Sequence, residues 1–310
     1  MTPPTDRFRA AEQRLWQVAG LTPSERYVRL RTGETVRVQE VGDGDPILLV
    51  HGASNAGTSW VDLVARLDGF RCLALDRPGC GLSEPVTSAP LRDIDAIEAY
   101  ADTLVPDVLD ALDVPRAHVV ATSYGGYFAL RGAAAHPDRI ERVVELSWPM
   151  GAPMDKAPVF MRVGAIPGLQ GLMSKAPVSR SSVKMMLRQI GLARAIKTGR
   201  FTDDMLDWFV AMLRDTDTMA NEYRSSPKVI TPVRGLNQRM LLDDDLLSRV
   251  TMPVLLLWGD EDPNGGERVA RSFAARLPNA QLEMVPHAGH APWIDEPELC
   301  AGRIRGFLAG

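Results

Sequence analysis

One serine of the chain has neighbours that suit nucleophilic catalysis, in the segment Val120–Gly126 (VATSYGG). The segment leads from a β-rich run into a helical period through a sharp turn centred on Ser123. Ala121 and Gly125 are small enough for the strand and the helix to approach closely. The order ATSYG departs from the G-x-S-x-G pattern only at Ala121. A simple helix N-cap is the alternative role. Because a serine hydroxyl is a weak nucleophile at neutral pH, its partners decide between the two interpretations.

Two late histidines are candidates for the base that activates this serine. His287 and His290 follow the last predicted strand, where a loop at the carboxyl edge of the sheet can reach Ser123. His290 is favoured because Gly289 frees the backbone before it and Pro292 ends the loop after it. His287 is the alternative. The other histidines come earlier in the chain: His51, His118 and His136.

The acid that orients the base is expected after another strand, and Leu255–Pro263 supplies three carboxylates there. Asp262, directly before Pro263, is the preferred acid. Asp260 and Glu261 are the alternatives, although residues in such positions more often belong to solvated turns. A serine, an aspartate and a histidine in this order, each at a strand end, predict a catalytic triad.

The elements that must position these residues follow from the hydrophobic pattern. Continuous apolar runs such as Ile47–Val50 and His118–Ala121 alternate with helical periods, which predicts parallel strands covered by helices on both faces. Ahead of them, Tyr27–Arg31 and Thr35–Val41 alternate in character and predict a β-hairpin. Counting all such runs, we predict an α/β fold with a mostly parallel, eight-stranded sheet.

The alternation stops near Trp148 and resumes at Val254. We therefore predict a core of residues 26–148 and 250–310, interrupted by a helical cap, or lid, at 149–249. Flexible methionine side chains in this insertion would suit varied apolar ligands, with ordinary helix packing as the alternative. Ten of the thirteen methionines lie there: Met150, Met154, Met161, Met173, Met185, Met186, Met205, Met212, Met219 and Met240.

Residues 1–25 are predicted to form a helical extension. Glu12 and Arg14 lie on its polar faces. We expect the apolar face to pack on the body of the protein, with a contact in a homodimer as the alternative. That face consists of residues at helical spacing: Phe8, Ala11, Leu15 and Val18.

Charge and composition argue against several functional classes. A net charge of −4 and a pI of about 5.8 provide no positive field for a nucleic acid. The N-terminus lacks the apolar core of a signal peptide, and the chain has no stretch of about 18 apolar residues. We therefore expect a cytoplasmic location and no membrane span. Scattered cysteines without zinc-site spacing indicate reduced thiols, at Cys72, Cys80 and Cys300.

Four segments resemble the α/β-hydrolase superfamily: the turn around Ser123, and Leu49–Asn55, Asp76–Ser83 and Gly289–Pro297. The resemblance extends from about Tyr27 to the end of the chain. It is to the capped serine esterases, carbon–carbon-bond hydrolases and cofactor-independent haloperoxidases. It implies the α/β-hydrolase fold, and a reaction that requires neither a cofactor nor a metal.

The resemblance also implies an oxyanion hole formed by the backbone N–H groups of Ala53 and Tyr124. Preorganised donors of this kind contribute roughly 3 to 4 kcal/mol to transition-state stabilisation. The Asp76–Ser83 loop is assigned a structural role, with Cys80 as a substrate-side thiol being the alternative. Related dehalogenases and epoxide hydrolases carry aspartate at the nucleophile position, so Ser123 argues against those activities.

The expected reaction is hydrolysis through an acyl-enzyme on Ser123, and the expected partner is a small molecule. A small to medium, apolar carboxylic ester or lactone is the first expectation, because apolar residues of the insertion would close over the site. Hydrolysis of a carbon–carbon bond in a vinylogous diketone, or a perhydrolase and haloperoxidase-like activity, is the alternative with the same triad. A ligand-binding, receptor-like protein is the alternative from another class.

Overall fold

The computed structural model of the chain describes residues 4–87, 89–155, 157, 159–166, 168–169, 177–233 and 235–310. Met173 of the predicted methionine-rich insertion lies outside these residues. Within the described part of the chain, no helix combines the length and the apolar character that crossing a bilayer requires.

A single sheet of eight strands forms the centre of the molecule, in the order β1-β2-β4-β3-β5-β6-β9-β10. Strand β2 is antiparallel to β1 and β4, and all other neighbours are parallel. This topology confirms the predicted α/β fold, including its N-terminal hairpin. The strands are β1 (Ser24–Arg29), β2 (Thr35–Val41), β3 (Asp45–Val50), β4 (Phe70–Leu75), β5 (Ala117–Ser123), β6 (Ile140–Pro149), β9 (Val254–Gly259) and β10 (Ala280–Val285).

Helices cover both faces of this sheet. Along β3, Ile47 and Leu49 belong to one apolar cluster and Leu48 and Val50 to another, and all four side chains are buried. Burial on both faces explains why the strand is a continuous apolar run. The described helices are α1 (Pro4–Val18), α2 (Val61–Val64), α3 (Ile94–Ala111), α4 (Tyr124–Ala135), α5 (Val159–Gly164), α6 (Arg180–Gln189), α7 (Ala193–Thr198), α8 (Asp203–Asp215), α9 (Thr218–Val229), α10 (Asp244–Ser248), α11 (Glu267–Ala274), α12 (Pro292–Asp295) and α13 (Pro297–Ala309).

Helices α5 to α10 lie in the long segment between β6 and β9. This insertion also contains a small antiparallel ribbon of β7 (Ile230–Thr231) and β8 (Gly235–Leu236), which the sequence did not predict. Strands of two residues are too short to produce a recognisable period of two. The limits of a separate cap at 149–249 stay a prediction.

Helix α1 packs on the body of the protein, against α8 of the insertion. Phe8 and Leu15 are buried as expected, but Val18 is 70% exposed. Glu12, which was predicted on a polar face, is only 3% exposed because its carboxylate binds the buried guanidinium of Arg37. The buried face of the helix therefore includes an ion pair that the hydrophobic pattern alone did not reveal. The homodimer stays a prediction.

Candidate active site

Ser123 lies where β5 passes into α4, with φ 55° and ψ −121°. A positive φ is strained for a residue with a Cβ atom and is often found at functional sites. Neighbouring backbone packs closely against this turn. A Cβ on Gly125 would overlap the carbonyl oxygen of Val50, and a Cβ on Gly52 would lie 2.9 Å from Ser123 Cβ. The Ser123 side chain forms no capping hydrogen bond to α4. Its hydroxyl is therefore not used as an N-cap.

A buried hydrogen bond of 2.8 Å joins His290 Nδ1 to Asp262 Oδ2. His290 is 9% exposed and Asp262 5% exposed. The Asp262 carboxylate also accepts hydrogen bonds from the backbone N–H groups of Trp148 (3.0 Å) and Asn264 (2.9 Å). With the Nδ1 proton directed at this carboxylate, His290 Nε2 carries a lone pair and can act as a base; among the described residues its hydrogen-bond contact is Asn264 Nδ2, at 3.5 Å. Among the described residues, Ser123 Oγ forms no hydrogen bond with His290. Both residues line the same two cavities.

The alternative base and acids lie elsewhere. Asp260, Glu261 and His287 are exposed, and none of them lines a cavity that contains Ser123. His287 has a positive φ of 61°, so its backbone forms the bend that leads into the loop of His290. The structure thus places Ser123 and His290 in the same cavities and pairs His290 with Asp262, whereas their catalytic roles stay a prediction.

Two hydrogen bonds fix the backbone of Gly289, the residue directly before His290. Gly289 N–H donates to Asp295 Oδ2 at 3.0 Å, and Gly289 O accepts a hydrogen bond from Ser147 Oγ at 3.0 Å. Burial raises the pKa of the Asp295 carboxyl above its ordinary value. Asp295 belongs to the segment Gly289–Pro297 that carried the family resemblance, so a signal for it was present. Ser147 had no comparable signal.

Asn264 is a second residue that the sequence analysis missed. Its side chain is buried, and its amide nitrogen is placed 3.1 Å from His290 Nδ1. Because Nδ1 gives its proton to Asp262, the amide nitrogen as placed can donate only to Nε2, at 3.5 Å, whereas an end-over-end flip would present the amide oxygen to Nδ1. In either orientation the Asn264 amide contacts the imidazole and lines one of the cavities at Ser123. Its only sequence signal was its position two residues after Asp262.

The two predicted oxyanion donors lie beside the serine. Ala53 and Tyr124 both line cavities that contain Ser123. In the described part of the chain, neither backbone N–H donates a hydrogen bond to another group. Tyr124 also begins α4, so its N–H belongs to the positive end of a 12-residue helix. The two amides are therefore available to a developing negative charge on a substrate oxygen.

Two cavities meet at Ser123. Cavity A has about 690 Å³ of empty volume and is lined by Leu15, Thr58, Ser59, Trp208 and Trp293, among others. Cavity B has about 1040 Å³ and is lined by Trp148, Tyr223, Asn264 and a group of methionines, among others. The residues common to both are Ala53, Ser123, Ile190, Phe209 and His290.

The described walls of both cavities are mainly apolar. They contain no lysine or arginine, and their one acidic residue, Glu222, forms a salt bridge with Arg77 at 2.6 Å. A substrate carbonyl at Ser123 would thus have room for an apolar group on each side. Hydrolysis at a carbonyl carbon by a serine requires a nucleophile, a base, an orienting acid and donors for the oxyanion, and the site contains residues of each of these types.

Curated proteins of similar sequence include hydrolases of a named reaction. A protein from Cupriavidus pinatubonensis is 26% identical over 280 residues, which cover 87% of this chain and 90% of that protein. It is named 2-hydroxy-6-oxononadienedioate/2-hydroxy-6-oxononatrienedioate hydrolase. A second protein with this name, from Paraburkholderia phymatum, is also 26% identical and covers 87% of this chain and 91% of its own length.

Solved structures share the fold along nearly the whole chain. The carboxylesterase CesB from Bacillus subtilis has a TM-score of 0.77 at 21% identity, and the match covers 98% of both chains. The 2-hydroxy-6-oxo-6-phenylhexa-2,4-dienoate hydrolase from a Rhodococcus strain has a TM-score of 0.75 at 16% identity, and the match covers 93% of this chain and all of the other. The sequence model of the alpha/beta hydrolase family matches residues 47–303. The chain therefore belongs to the alpha/beta hydrolase family.

Proposed function

We propose that this protein hydrolyses a bond next to a carbonyl carbon, with Ser123 as nucleophile, His290 as base and Asp262 as orienting acid. The observation that carries the proposal is the buried His290–Asp262 pair beside a serine at positive φ, where two cavities meet. Ser123 Oγ adds to the carbonyl as His290 Nε2 takes its proton. The amides of Ala53 and Tyr124 then stabilise the oxyanion, and water releases the acyl group as a carboxylic acid.

The bond that we propose first is a carbon–carbon bond of a vinylogous diketone. The names of the curated relatives support this reading better than the carboxylic ester or lactone that was expected first from the sequence. Cleavage of such a bond needs a leaving carbon that can hold the electron pair, and conjugation to a second carbonyl provides this. His290 returns its proton to that carbon, so the reaction consumes one water and needs no other reactant.

The described cavity walls lack cationic side chains, which favours substrates without carboxylate groups at their ends. The relatives are named for dioates, whose two charges call for cationic partners, whereas the described walls of cavities A and B contain no lysine or arginine. We therefore propose a diketone with apolar, uncharged ends. The same observation favours a second candidate, an apolar carboxylic ester, which the same groups would cleave through the same acyl-enzyme.

A direct comparison of the two substrate classes tests the proposal. Purified wild type is assayed with an uncharged vinylogous diketone, followed by loss of its conjugated absorbance, and with p-nitrophenyl esters of increasing chain length. We expect kcat/KM for the diketone to exceed that for the best ester, and Ser123→Ala to lose about 10³-fold or more on both. Ser248→Ala is the control, because Ser248 is an exposed serine of α10 that lines neither cavity, and should change kcat/KM by less than about threefold.

Three results would count against the proposal. Failure of wild type to hydrolyse either class would remove the hydrolase assignment. Full activity in Ser123→Ala would remove the nucleophile. A higher kcat/KM for the esters would replace the first candidate bond by the second.

A further inference from the structure

Arg77 is a buried side chain outside the proposed triad. It connects the insertion to the loop of residues 51–55, which follows β3, carries the predicted donor Ala53 and is named the oxyanion loop. Arg77 follows β4 and lines neither cavity A nor cavity B. Its Nε donates to His51 O at 2.9 Å, and its Nη2 donates to Gly52 O at 2.9 Å and to Glu222 Oε1 at 2.6 Å. Three hydrogen bonds thus tie one guanidinium to the oxyanion loop and to helix α9.

The carbonyl of Gly52 belongs to the same peptide group as the N–H of Ala53. In a planar trans peptide these two groups point in opposite directions, so an anchor on the oxygen sets the direction of the hydrogen. Gly52 O has two such anchors, Arg77 Nη2 and His51 Nδ1, the latter at 2.7 Å. Since buried Arg77 lies on the carbonyl side, the Ala53 N–H is directed away from it.

The protonation state of His51 follows from its other contact with the same residue. His51 Nε2 accepts the backbone N–H of Arg77 at 3.0 Å, so the proton of the neutral ring is on Nδ1 and is donated to Gly52 O. Burial, with the charge of Arg77 as a second cause, holds the pKa of His51 well below its ordinary value. The imidazole is therefore a fixed, neutral donor.

Arg77 also contacts the residue of the other oxyanion donor. Its guanidinium carbon lies 4.9 Å from the ring centre of Tyr124 and 5.7 Å from that of Phe128, within the range of cation–π attraction. Both aromatic residues belong to α4, whose first N–H is the Tyr124 donor. One side chain thus contacts the peptide of the first donor and the helix of the second.

Glu222 supplies the charge that allows Arg77 to be buried in this position. A buried guanidinium without a counter-ion would be strongly destabilised, and Glu222 of α9 is its salt-bridge partner. Two further contacts hold α9 on the Asp76–Ser83 loop, which carries Arg77: Gly81 N–H donates to Thr218 Oγ1 at 3.0 Å, and Asn221 Nδ2 donates to Pro78 O at 3.3 Å. The position of α9 therefore determines where Arg77 is held.

We propose that Glu222 and Arg77 are positioning residues, through which the seating of α9 orients the Ala53 N–H of the oxyanion hole. The inference rests on the proposed hydrolase function and adds a structural condition to it. The oxyanion hole is complete only when the insertion contributes its carboxylate. Neither residue touches the reacting atoms, and Arg77 lines neither cavity, so its effect is on oxyanion stabilisation rather than on substrate binding.

The test compares Arg77→Met with a matched control, Arg131→Met. Arg131 also pairs with a carboxylate, Asp102, and lies 5.6 Å from the ring centre of Tyr127, but it makes no contact with the oxyanion loop. The measurements are kcat, KM and the inhibition constant of an apolar trifluoromethyl ketone, which forms an oxyanion adduct on a serine. Glu222→Gln is less suitable as the main variant, because Glu222 also lines cavity B.

We expect Arg77→Met to lower kcat about 10- to 100-fold and to raise the inhibition constant of the ketone by a similar factor. KM should stay within about twofold of wild type. Arg77→Lys keeps the charge but not the planar fork, so it should lie between wild type and Arg77→Met, and it carries the test if the methionine variant does not fold. Arg131→Met should stay within about twofold of wild type.

If wild type forms the ketone adduct, either of two results would overturn this inference and leave the proposed function intact. One is that the Arg77 variants match Arg131→Met in kcat and in ketone inhibition. The other is that they raise KM with kcat unchanged, which would show a role in substrate binding. Wild type that forms no ketone adduct and turns over no substrate would instead remove the proposed function, and this inference with it.

Discussion

Cavities A and B meet at the same serine but have different walls. Cavity A is bounded by the rings of Trp208 and Trp293 and by Leu15 of α1. Aromatic rings have few rotatable bonds, whereas methionine side chains are flexible and fill irregular spaces. We infer that one half of the substrate meets a fixed wall and the other half an adaptable one. Cavity A contains one methionine, Met205, whereas the adaptable wall is that of cavity B, which contains Met150, Met154, Met161, Met186 and Met219.

The fixed character of cavity A has a further cause in α1. Arg37, which has no exposed surface, pairs with Glu12 of α1 and with Asp76, each at 2.7 Å. Breaking one partner of such a cluster leaves a buried charge uncompensated, which typically costs about 3 to 5 kcal/mol. Leu15 is therefore held at the wall of cavity A by ionic contacts that have no counterpart among the methionines of cavity B.

The proposed nucleophile and base, Ser123 and His290, line both cavities, so the largest expected effect should not depend on which half of the substrate is varied. Asp262→Asn keeps the shape of the acid but favours the wrong imidazole tautomer, and we expect a loss of about 10⁴-fold in kcat for every substrate. Asp260→Asn is the matched control, because Asp260 is exposed in the same turn, and should stay within about twofold. Steady-state kinetics on two chain-length series measures both. A larger loss in Asp260→Asn would transfer the role of the acid to Asp260.

Enlarging each wall should change selectivity for opposite halves of the substrate. Leu15→Ala adds room in cavity A and Met161→Ala adds room in cavity B. We expect each variant to raise kcat/KM about 10-fold for substrates lengthened on its own side only, the range that a methylene or two provides in an apolar pocket. The assay varies the two substrate halves separately, well below the Tm of each variant. Both variants favouring the same half would contradict the assignment of one cavity to each half.

The smallest effect on selectivity for either half of the substrate is expected at Glu145 of β6. Its carboxyl is fully buried, neither oxygen has a hydrogen-bond partner among the described residues, and burial raises its pKa well above the ordinary 4.5. The folded protein therefore keeps this proton while the unfolded chain releases it. Stability accordingly falls as the pH rises above about 4.5, until the folded-state pKa is reached.

Glu145→Gln removes this penalty because the amide does not ionise. We expect its gain in unfolding free energy over wild type to grow by about 1.4 kcal/mol per pH unit above about pH 5 and to level off at the raised folded-state pKa of Glu145, with the selectivity of both cavities unchanged. Urea unfolding at pH 5, 6.5 and 8 measures this gain. Glu141→Gln, a half-exposed glutamate of the same strand, is the control and should show no such slope. Equal slopes in the two variants would disprove a proton held at Glu145.

The difference between what the sequence predicted and what it did not has a physical basis. Ser123, Asp262 and His290 each follow a strand end, and the carboxyl ends of parallel strands meet at one edge of a sheet, so strand prediction alone brings them together. Arg77 and Glu222 are separated by 145 residues, and no local period connects them. Contacts of this kind depend on how the insertion packs on the core, which the pattern of apolar residues leaves open.

Covalent labelling of Ser123 tests the central claim most directly. An apolar fluorophosphonate is incubated with wild type, Ser123→Ala and Ser59→Ala, and the modified peptide is identified by mass spectrometry. The proposed triad predicts a single adduct on Ser123 in wild type and in Ser59→Ala, and no adduct in Ser123→Ala. An adduct on any other residue of the wild type, or an adduct that persists in Ser123→Ala, would contradict it.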